Sequence, residues 1–389
     1  MSPDLAFCIH HVGARYGNHP FPVPEGLADG LAVVLYDADG DSRDGVVSRE
    51  TKFVAAALAD HDGSADFRIS INAAASSLLE PSDAPRGFIQ PMLGIDWDVE
   101  RCAAVVERRK LRTRTLDSLL TDSVSIPAPD FLSLDTQGSE FSIIRGAENT
   151  IRSRVVGLIV EVEFIELYRG VPGFDQVARK LADLGFHFVR FTDFIEAESS
   201  AQPLGRRSRG FAVAADALFL RRVDSIAKKT LVEQSDQLLR LAFASVVFGH
   251  MGHAFSALER VDWASISTIS GWSASMRAIW EAAASLKRIF PPVFPDILPE
   301  IAITAFREEA DVSNWPSYFN FESWRRSTCL SDRELASVLD ALVDKSETPL
   351  ESALRRYGFD AAADHVCLAR RDQAHKLSLL LNASAMPRA

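Results

Sequence analysis

The sequence has few cysteines, and they are not arranged as a metal or redox site. Its four cysteines, Cys8, Cys102, Cys329 and Cys367, lie far apart, and none belongs to a CxxC pair. This spacing argues against a zinc site and against a thioredoxin-like motif. Thiols scattered through a long chain are typical of reduced proteins, so the composition predicts a cytoplasmic protein.

Long apolar stretches are also missing. No uninterrupted apolar run reaches the roughly 20 residues that a membrane-spanning helix needs. The first residues lack the basic segment and the apolar core of a secretory signal peptide. We therefore expect no membrane span and a cytoplasmic location.

Positively charged residues are outnumbered by negatively charged ones. The chain of 389 residues has 42 Lys and Arg against 53 Asp and Glu, which gives a formal net charge of -11. Contacts to phosphates need clustered Lys and Arg, so this balance argues against a nucleic-acid partner. The most basic short stretch, GRRSRG at 205–210, is interpreted as a solvated loop before a strand.

The first 224 residues alternate between two patterns. Apolar strand patterns at 6–14, 30–41 and 130–138 are interspersed with helical patterns at 49–60 and 139–153. Such alternation predicts an α/β fold with a mostly parallel sheet that is covered by helices on both faces. The last two strands of the region are close together without a helical crossover, which predicts an antiparallel hairpin at one edge of the sheet.

The remaining residues, 225–389, lack strand patterns and carry helix-spaced apolar residues over many turns. A proline-rich piece at 290–300 divides these helices into two groups. We predict two domains, an α/β domain at 1–224 and an α-helical module at 225–389. Three roles are open for the module: it could recognise a substrate, mediate homodimerisation or cover a cleft.

Two features at the predicted strand ends suit a nucleoside. Gly13 and Gly17, in the turn VGARYG, would allow a tight bend and the close approach of a ligand. Their spacing differs from the GxGxxG of dinucleotide sites, which disfavours a nicotinamide cofactor. Asp37, at the end of the second strand, could accept hydrogen bonds from a ribose diol. S-adenosylmethionine fits this pattern, because its cationic sulfonium favours an acidic site; ordinary turns of an α/β domain are the other interpretation.

Three segments resemble one known family. FLSLDTQGSEFSIIRGAENTI (131–151), VVGLIVEVEFIELYRGVPGFDQVARKLADLGFHFVRF (155–191) and ADALFLR (215–221) are similar in order and spacing to the FkbM-type methyltransferases. The resemblance covers roughly Ile9 to Arg221. It implies a Rossmann-like fold and an S-adenosylmethionine-dependent O-methyltransferase. The implied acceptor is a hydroxyl or carboxyl group of a carbohydrate or secondary metabolite.

The resemblance also points to cofactor-binding positions. Ser77 lies in a segment similar to the serine loop of the family, and Asp117 in one similar to its valine-x-leucine-aspartate element. The family usually has an acid just before the VGA turn, near the methionine part of the cofactor, where this chain has His11. The expected cofactor-binding residues are His11, Gly13, Gly17, Asp37, Ser77 and Asp117.

Acids follow the two central strands of the resembling segments. Asp135, at a strand tip, is the first candidate for the base that removes a proton from a hydroxyl acceptor, and Gln137 would shape the turn beside it. Glu140 either binds substrate hydroxyls or favours the positive end of its helix. Glu161 and Glu163 share one face of the next strand, and one of them could be a second base or accept a hydrogen bond from a sugar hydroxyl.

We assign catalysis to Asp135 and Glu163, and substrate binding to Gln137, Glu140 and Glu161. No histidine lies at ligand spacing near the two catalytic acids, so no metal is predicted. Two alternatives stay open. Because His11 replaces an acid, the domain could be a catalytically weak, methyltransferase-like scaffold. The helical module could also carry the main function by binding a protein partner.

Overall fold

The computed structural model describes most of the chain, namely residues 6–14, 20–24, 26–38, 51–92, 95–198, 210–226, 230–266, 271–289, 331–343 and 346–384. Gly17, Cys329, the proline-rich piece at 290–300 and all but the last residue of GRRSRG lie outside these ranges. Contacts between residues divide the chain into two compact units, Met1–Ala274 and Ser275–Ala389.

The described ranges contain strands and helices in the following order. The strands are β1 (Phe7–Val12), β2 (Leu31–Asp37), β3 (Thr51–Ala55), β4 (Ala57–Leu58), β5 (Gly63–Ser70), β6 (Ile89–Met92), β7 (Ile95–Asp98), β8 (Val105–Arg114), β9 (Phe131–Leu134), β10 (Gly157–Glu163), β11 (Phe186–Ala197) and β12 (Phe211–Arg221). The α-helices are α1 (Val99–Cys102), α2 (Leu116–Asp122), α3 (Glu140–Gly146), α4 (Glu148–Ser153), α5 (Phe174–Asp183), α6 (Leu231–Val247), α7 (Met251–Leu258), α8 (Gly271–Ile289), α9 (Asp332–Val343), α10 (Pro349–Arg356) and α11 (Asp360–Ser384).

The main sheet of the first unit has seven strands in the order β11-β12-β10-β9-β1-β2-β3. β12 is antiparallel to both of its neighbours, β10 and β11, while the other neighbouring pairs are parallel. The predicted mostly parallel sheet with an antiparallel hairpin at one edge is therefore confirmed. β1 has β2 on one side and β9 on the other, so the strand order reverses its direction at β1.

Helices pack on both faces of this sheet. Successive side chains of a strand point to opposite faces. Cys8 and Val12 of β1 join a buried cluster that includes Ile143 of α3 and Leu181 of α5. Phe7, from the other face of β1, contacts Phe243 of α6, with ring centroids 4.9 Å apart. The predicted doubly wound arrangement is therefore confirmed.

Helix α6 is joined to the sheet by a buried ion pair. Arg240 of α6 and Asp130, just before β9, are both fully buried, and their charged groups are in direct contact. Arg240 also donates a hydrogen bond to Asp236, one turn earlier in α6, at 2.8 Å. α6 and α7 thus lie within the compact unit that holds the sheet, whereas the sequence pattern grouped them with the C-terminal helices.

The helix predicted at 49–60 is wrong. Its described part forms β3, which pairs in parallel with β2, and the short strand β4. The run FVAAALA has a high helix propensity, but pairing with an existing buried strand overrides such a weak local preference.

A second, three-stranded sheet has the order β4-β8-β5 and supports a loop beside the main sheet. After β5 the chain turns through a short 3-10 helix at Ala73–Ala75 and returns, so that Ser77 and Arg68 exchange backbone hydrogen bonds at 2.8 and 3.1 Å. This pairing fixes the loop that carries Ser77.

The second unit is helical throughout its described part. α10 begins with a capping box, in which the side chains of Thr348 and Glu351 each accept a hydrogen bond from the backbone N–H of the other residue. The side chain of Arg355, near its end, contacts Glu347, Asp360 and Asp364. None of the described helices, in either unit, is both long and apolar enough to cross a membrane.

Candidate active site

A cleft opens where β1, β2, β3 and β9 end. Val12 and Gly13, Tyr36 and Asp37, and Asp135 line it from three of these strand ends. The space measures about 760 Å³, part of it open to solvent. This is the carboxyl edge of the sheet at the point where the strand order reverses, which is where open α/β sheets bind ligands.

Gly13 makes the turn after β1 possible. Its φ is 93°, and a Cβ placed there would lie 1.6 Å from the carbonyl oxygen of Asp135. The N–H groups of Gly13 and Ala14 both donate to the carbonyl oxygen of Tyr36 at 3.0 Å. Only glycine allows this close approach between the turns after β1 and β9. The role predicted for Gly17 concerns a residue outside the described ranges.

Asp37 is the last residue of β2 and lies in the wall of the cleft. It is 7% exposed. The fold thus brings Gly13 and Asp37 together at one site, although 23 other residues separate them in the sequence.

Gln137 connects the acids that follow β9 and β10. Its Nε2 donates hydrogen bonds to Oδ1 of Asp135 at 2.8 Å and to Oε2 of Glu161 at 3.0 Å. Its φ is 59°, a left-handed value that residues other than glycine seldom adopt. Such backbone strain clusters at functional sites. The three side chains that the sequence suggested separately therefore form one hydrogen-bonded unit at the edge of the cleft.

Asp135 and Glu161 belong to an acidic cluster. It consists of Asp135, Glu140, Glu161, Glu163 and Asp216. Asp135 is open to the cleft, yet the protein surrounds it deeply enough that loss of hydration raises its pKa, against hydrogen bonds from Gln137 and Glu161 that lower it. Loss of hydration raises the pKa of Glu161 well above its usual range, and the four other carboxylates raise it further.

The remaining acids of the cluster also bind protons more tightly than usual. Burial raises the pKa of Glu140 to about 7, that of Glu163 to about 8 and that of Asp216 to about 6. Asp216 is directly opposite Glu161 in the pairing of β12 with β10. Like charges at such cross-strand positions are unfavourable, so the site favours protonated carboxyl groups near neutral pH.

Glu140 and Glu163 have partners in the backbone. Oε1 of Glu140 accepts hydrogen bonds from the N–H of Thr136 at 2.5 Å and from its hydroxyl at 3.0 Å. Oε2 of Glu163 accepts one from the N–H of Leu167 at 2.6 Å. Both contacts stabilise the turns after β9 and β10. The predicted substrate-binding role of Glu140 and catalytic role of Glu163 stay predictions.

Ser77 and Tyr168 support Gln137. The hydroxyl of Ser77 donates to the carbonyl oxygen of Gln137 at 2.6 Å, and that of Tyr168 donates to its Oε1 at 3.2 Å. The Tyr168 hydroxyl also approaches the carbonyl oxygen of Ala75 at 2.9 Å. Tyr168 was not among the predicted site residues, although the ELY sequence that contains it was part of the family resemblance.

Three of the described cofactor-binding candidates, His11, Ser77 and Asp117, do not line the cleft. His11 is 4% exposed, and its Nδ1 is 2.9 Å from the hydroxyl oxygen of Ser133 on β9. Asp117 accepts hydrogen bonds from the backbone N–H groups of Asn149 and Thr150 at 3.0 and 2.9 Å, and so caps the start of α4. Their binding to a cofactor stays a prediction.

Among the described residues, no group of three or more His, Cys, Asp or Glu side chains has the arrangement of a metal site.

Comparison with known proteins identifies the part of the chain that holds the cleft. Residues 11–188 match the family model described as the Methyltransferase FkbM domain. This segment is therefore similar to FkbM methyltransferase domains. No curated protein and no solved structure matches the chain. The matched segment contains Gly13, Asp37 and Asp135, whereas Asp216 of β12 lies after the matched residues.

Proposed function

We propose that the chain is an S-adenosylmethionine-dependent O-methyltransferase whose acceptor is a hydroxyl or carboxyl group of a carbohydrate or secondary metabolite. The observation that carries this proposal is the cleft at the carboxyl edge of the sheet, which Gly13, Asp37 and Asp135 line within the segment that matches the FkbM domain. Its position at the carboxyl edge of the sheet, where the strand order reverses, suits a nucleoside cofactor.

In this proposal Asp37 accepts hydrogen bonds from the ribose hydroxyls of the cofactor. A carboxylate at the end of the second strand is suited to a diol, since its two oxygens can accept from both hydroxyls. Gly13 lets the turn after β1 lie against the backbone of Asp135, which brings the two turns together at the cofactor site. Negative charge on the acidic cluster, which grows as Asp216, Glu140 and Glu163 ionise with pKa values of about 6, 7 and 8, favours a cationic sulfonium over a neutral ligand.

Asp135 takes the proton of the acceptor. When bound, S-adenosylmethionine supplies a methyl group whose bond to sulfur breaks as the acceptor oxygen bonds to its carbon, which leaves a neutral thioether. Asp135 lines the cleft, so its carboxylate can reach a hydroxyl held there. A carboxylate whose pKa is raised toward neutral pH is a better base than an ordinary one, and positioned bases typically contribute about 10²–10⁴ in rate.

We assign binding of the acceptor to residues next to Asp135, namely Glu161 and Glu140. Glu161 is half-buried on β10, and Glu140 begins α3. We propose that Glu161 accepts a hydrogen bond from an acceptor hydroxyl when it is ionised and donates one when it is protonated.

We further propose a domain boundary at 224, a cytoplasmic location and homodimerisation through the C-terminal helices. The molecular mass of the full chain in solution tests the homodimerisation.

The test is a methyl-transfer screen with the full chain. S-adenosylmethionine carrying a labelled methyl group is incubated with a panel of sugars, glycans and hydroxylated metabolites, and both labelled product and S-adenosylhomocysteine are measured. We expect turnover with a hydroxylated acceptor, and we expect Asp135→Asn to reduce it at least 100-fold while cofactor affinity stays within a factor of three.

A matched control is Asp183→Asn. Asp183 is the last residue of α5, is exposed and lies on none of the cleft walls. The same chemical change there should leave turnover unaltered. Normal turnover by Asp135→Asn would show that the base is assigned wrongly, whereas binding of the cofactor without turnover on any acceptor would favour the scaffold alternative.

A further inference from the structure

The turn that carries Gln137 is held in an unusual conformation by its neighbours. Gln137 and Gly138 are consecutive left-handed residues, with φ of 59° and 98°. A left-handed conformation is unfavourable for a residue other than glycine, and glycine at position 137 would avoid that cost. The hydroxyl of Ser77 fixes the carbonyl oxygen of Gln137 at 2.6 Å. Glutamine at this position is therefore less favourable for the backbone than glycine would be. What glutamine adds is its side-chain amide group.

All the polar atoms of that amide are engaged within the protein. Both N–H groups of Nε2 have carboxylate acceptors, Asp135 at 2.8 Å and Glu161 at 3.0 Å. Oε1 accepts from the hydroxyl of Tyr168 at 3.2 Å. The opposite orientation would place the amide oxygen against two carboxyl groups, so the hydrogen-bond network determines which atom is nitrogen. Gln137 is therefore more suited to holding the acids than to binding a substrate.

We propose that Gln137 is a positioning residue: its amide holds the carboxyl groups of Asp135 and Glu161 as a pair that keeps one proton, with the proton on Glu161 and the charge on Asp135. The pair presents Asp135 to the cleft as the acceptor of the substrate's proton. Asp135 and Glu161 accept hydrogen bonds from the same nitrogen and are surrounded by further acidic side chains. Keeping both of them charged is therefore electrostatically unfavourable.

The surroundings decide which member keeps the proton. Glu161 faces Asp135, Glu140 from α3, Asp216 from β12 and Glu163 from its own strand, and each of these carboxylates raises its pKa. The pKa of Asp135 is raised by loss of hydration but lowered by hydrogen bonds from Gln137 and Glu161. Asp135 also lines the cleft and has access to water there, which favours its charged form.

This inference rests on the proposed function only for the use of Asp135 as a base; the shared proton itself belongs to the free protein. It is tested with the full chain labelled with ¹³C in the carboxyl groups of Asp and Glu. NMR titration from pH 4 to pH 10 follows the two side chains, and Asp135→Asn and Glu161→Gln assign their signals. The pair should titrate in two separate steps, with Asp135 ionised at pH 7 and Glu161 still protonated.

Two substitutions separate the amide group from the turn. Gln137→Gly suits the left-handed backbone and removes the amide, and Gln137→Asn tolerates that backbone but shortens the side chain by one methylene group. Both variants should fold with unchanged or higher melting temperature. In both, the pH at which Asp135 ionises should rise by about one pH unit, which is a tenfold change in proton affinity. Tyr168→Phe leaves both N–H groups of the amide in place and removes the hydroxyl contacts to Oε1 of Gln137 and to the carbonyl oxygen of Ala75, so it should give a smaller rise.

The result that overturns the proposal is an unchanged titration of Asp135 in Gln137→Gly, or a Glu161 that is already ionised in the wild type at pH 6. Titration calorimetry with S-adenosylmethionine on the same samples keeps the two claims apart. A wild type that binds no cofactor contradicts the proposed function and leaves the titration result standing. A wild type that binds the cofactor but shows independent, ordinary titration of both acids contradicts the shared proton alone.

Discussion

Replacing Glu163 by Gln should make the protein less sensitive to alkaline pH. Glu163 is 6% exposed, and burial raises its pKa from 4.5 to about 8. Between these two values the unfolded chain has released a proton that the native protein still holds, so stability falls as the pH rises through this window. Each pKa unit corresponds to about 1.4 kcal/mol, which puts the upper limit of the loss at about 5 kcal/mol. Relaxation around the charged group lowers the expected loss to about 2–3 kcal/mol.

Glutamine has no charge to gain, and its side-chain oxygen can still accept the hydrogen bond from Leu167. We expect Glu163→Gln and the wild type to have similar melting temperatures at pH 5.5. At pH 9 the variant should melt higher by about 5–10 °C, as about 2–3 kcal/mol implies for a domain of this size. Circular dichroism melts without cofactor, from pH 5.5 to pH 9, measure the difference.

The other ionisable groups lose stability in the wild type and the variant alike, so the difference between the two isolates Glu163. Glu166→Gln is the matched control, because Glu166 is exposed in the same loop and accepts a hydrogen bond from the N–H of Gly170 at 2.7 Å. Glu166→Gln removes one negative charge from an exposed position, whereas Glu163→Gln changes a buried carboxyl group. Parallel loss of stability in all three proteins would refute the reasoning.

Three further predictions concern the turn, the core and the cofactor. Gly13→Ala should destabilise the protein by more than about 3 kcal/mol, because its Cβ would overlap the carbonyl of Asp135. Gly170 has a φ of 76° and no atom within 4 Å of its Cβ, so Gly170→Ala should cost only about 1 kcal/mol. Urea unfolding measures both changes. Arg240→Met should cost about 3–5 kcal/mol by removing one of the two guanidinium groups that pair with the buried Asp130, the other being that of Arg154 at 2.9 Å. Adding Asp130→Asn should recover part of that loss. Between pH 6 and pH 8.5 the affinity for S-adenosylmethionine should rise about tenfold more than the affinity for S-adenosylhomocysteine. The reason is that ionisation of the acidic cluster attracts a sulfonium and not a thioether. Calorimetry in which both affinities change equally with pH would contradict this.

Local patterns predicted the parts of the fold that local forces decide. The strand, turn and helix from 130 to 153 lie where the apolar spacing and the glycine predict them, and the apolar run at 157–163 is an interior strand. The residues 49–60 show the limit of such patterns. An alanine-rich run favours a helix in isolation, and the buried edge of β2, which no local window contains, makes it a strand instead.

The site was predicted as separate residues, and its connections were not. Asp135, Gln137 and Glu161 were all proposed, but the amide that joins them depends on a left-handed backbone at Gln137, which side-chain spacing does not encode. The contribution of Asp216 follows from the order of β10 and β12 in the sheet, a long-range pairing. The position of α6 against the sheet likewise depends on a buried ion pair between residues 110 positions apart in the chain.

The central claim is that the cleft between Gly13, Asp37 and Asp135 binds S-adenosylmethionine, and titration calorimetry of the full chain tests it most directly. We expect saturable binding of S-adenosylmethionine and S-adenosylhomocysteine. Asp37→Ala should weaken both about 10–100-fold, since hydrogen bonds to a charged group contribute about 1.5–3 kcal/mol, while Asp183→Ala should leave both unchanged. A folded wild type that binds neither compound, or an Asp37→Ala variant that binds them normally, would contradict the account.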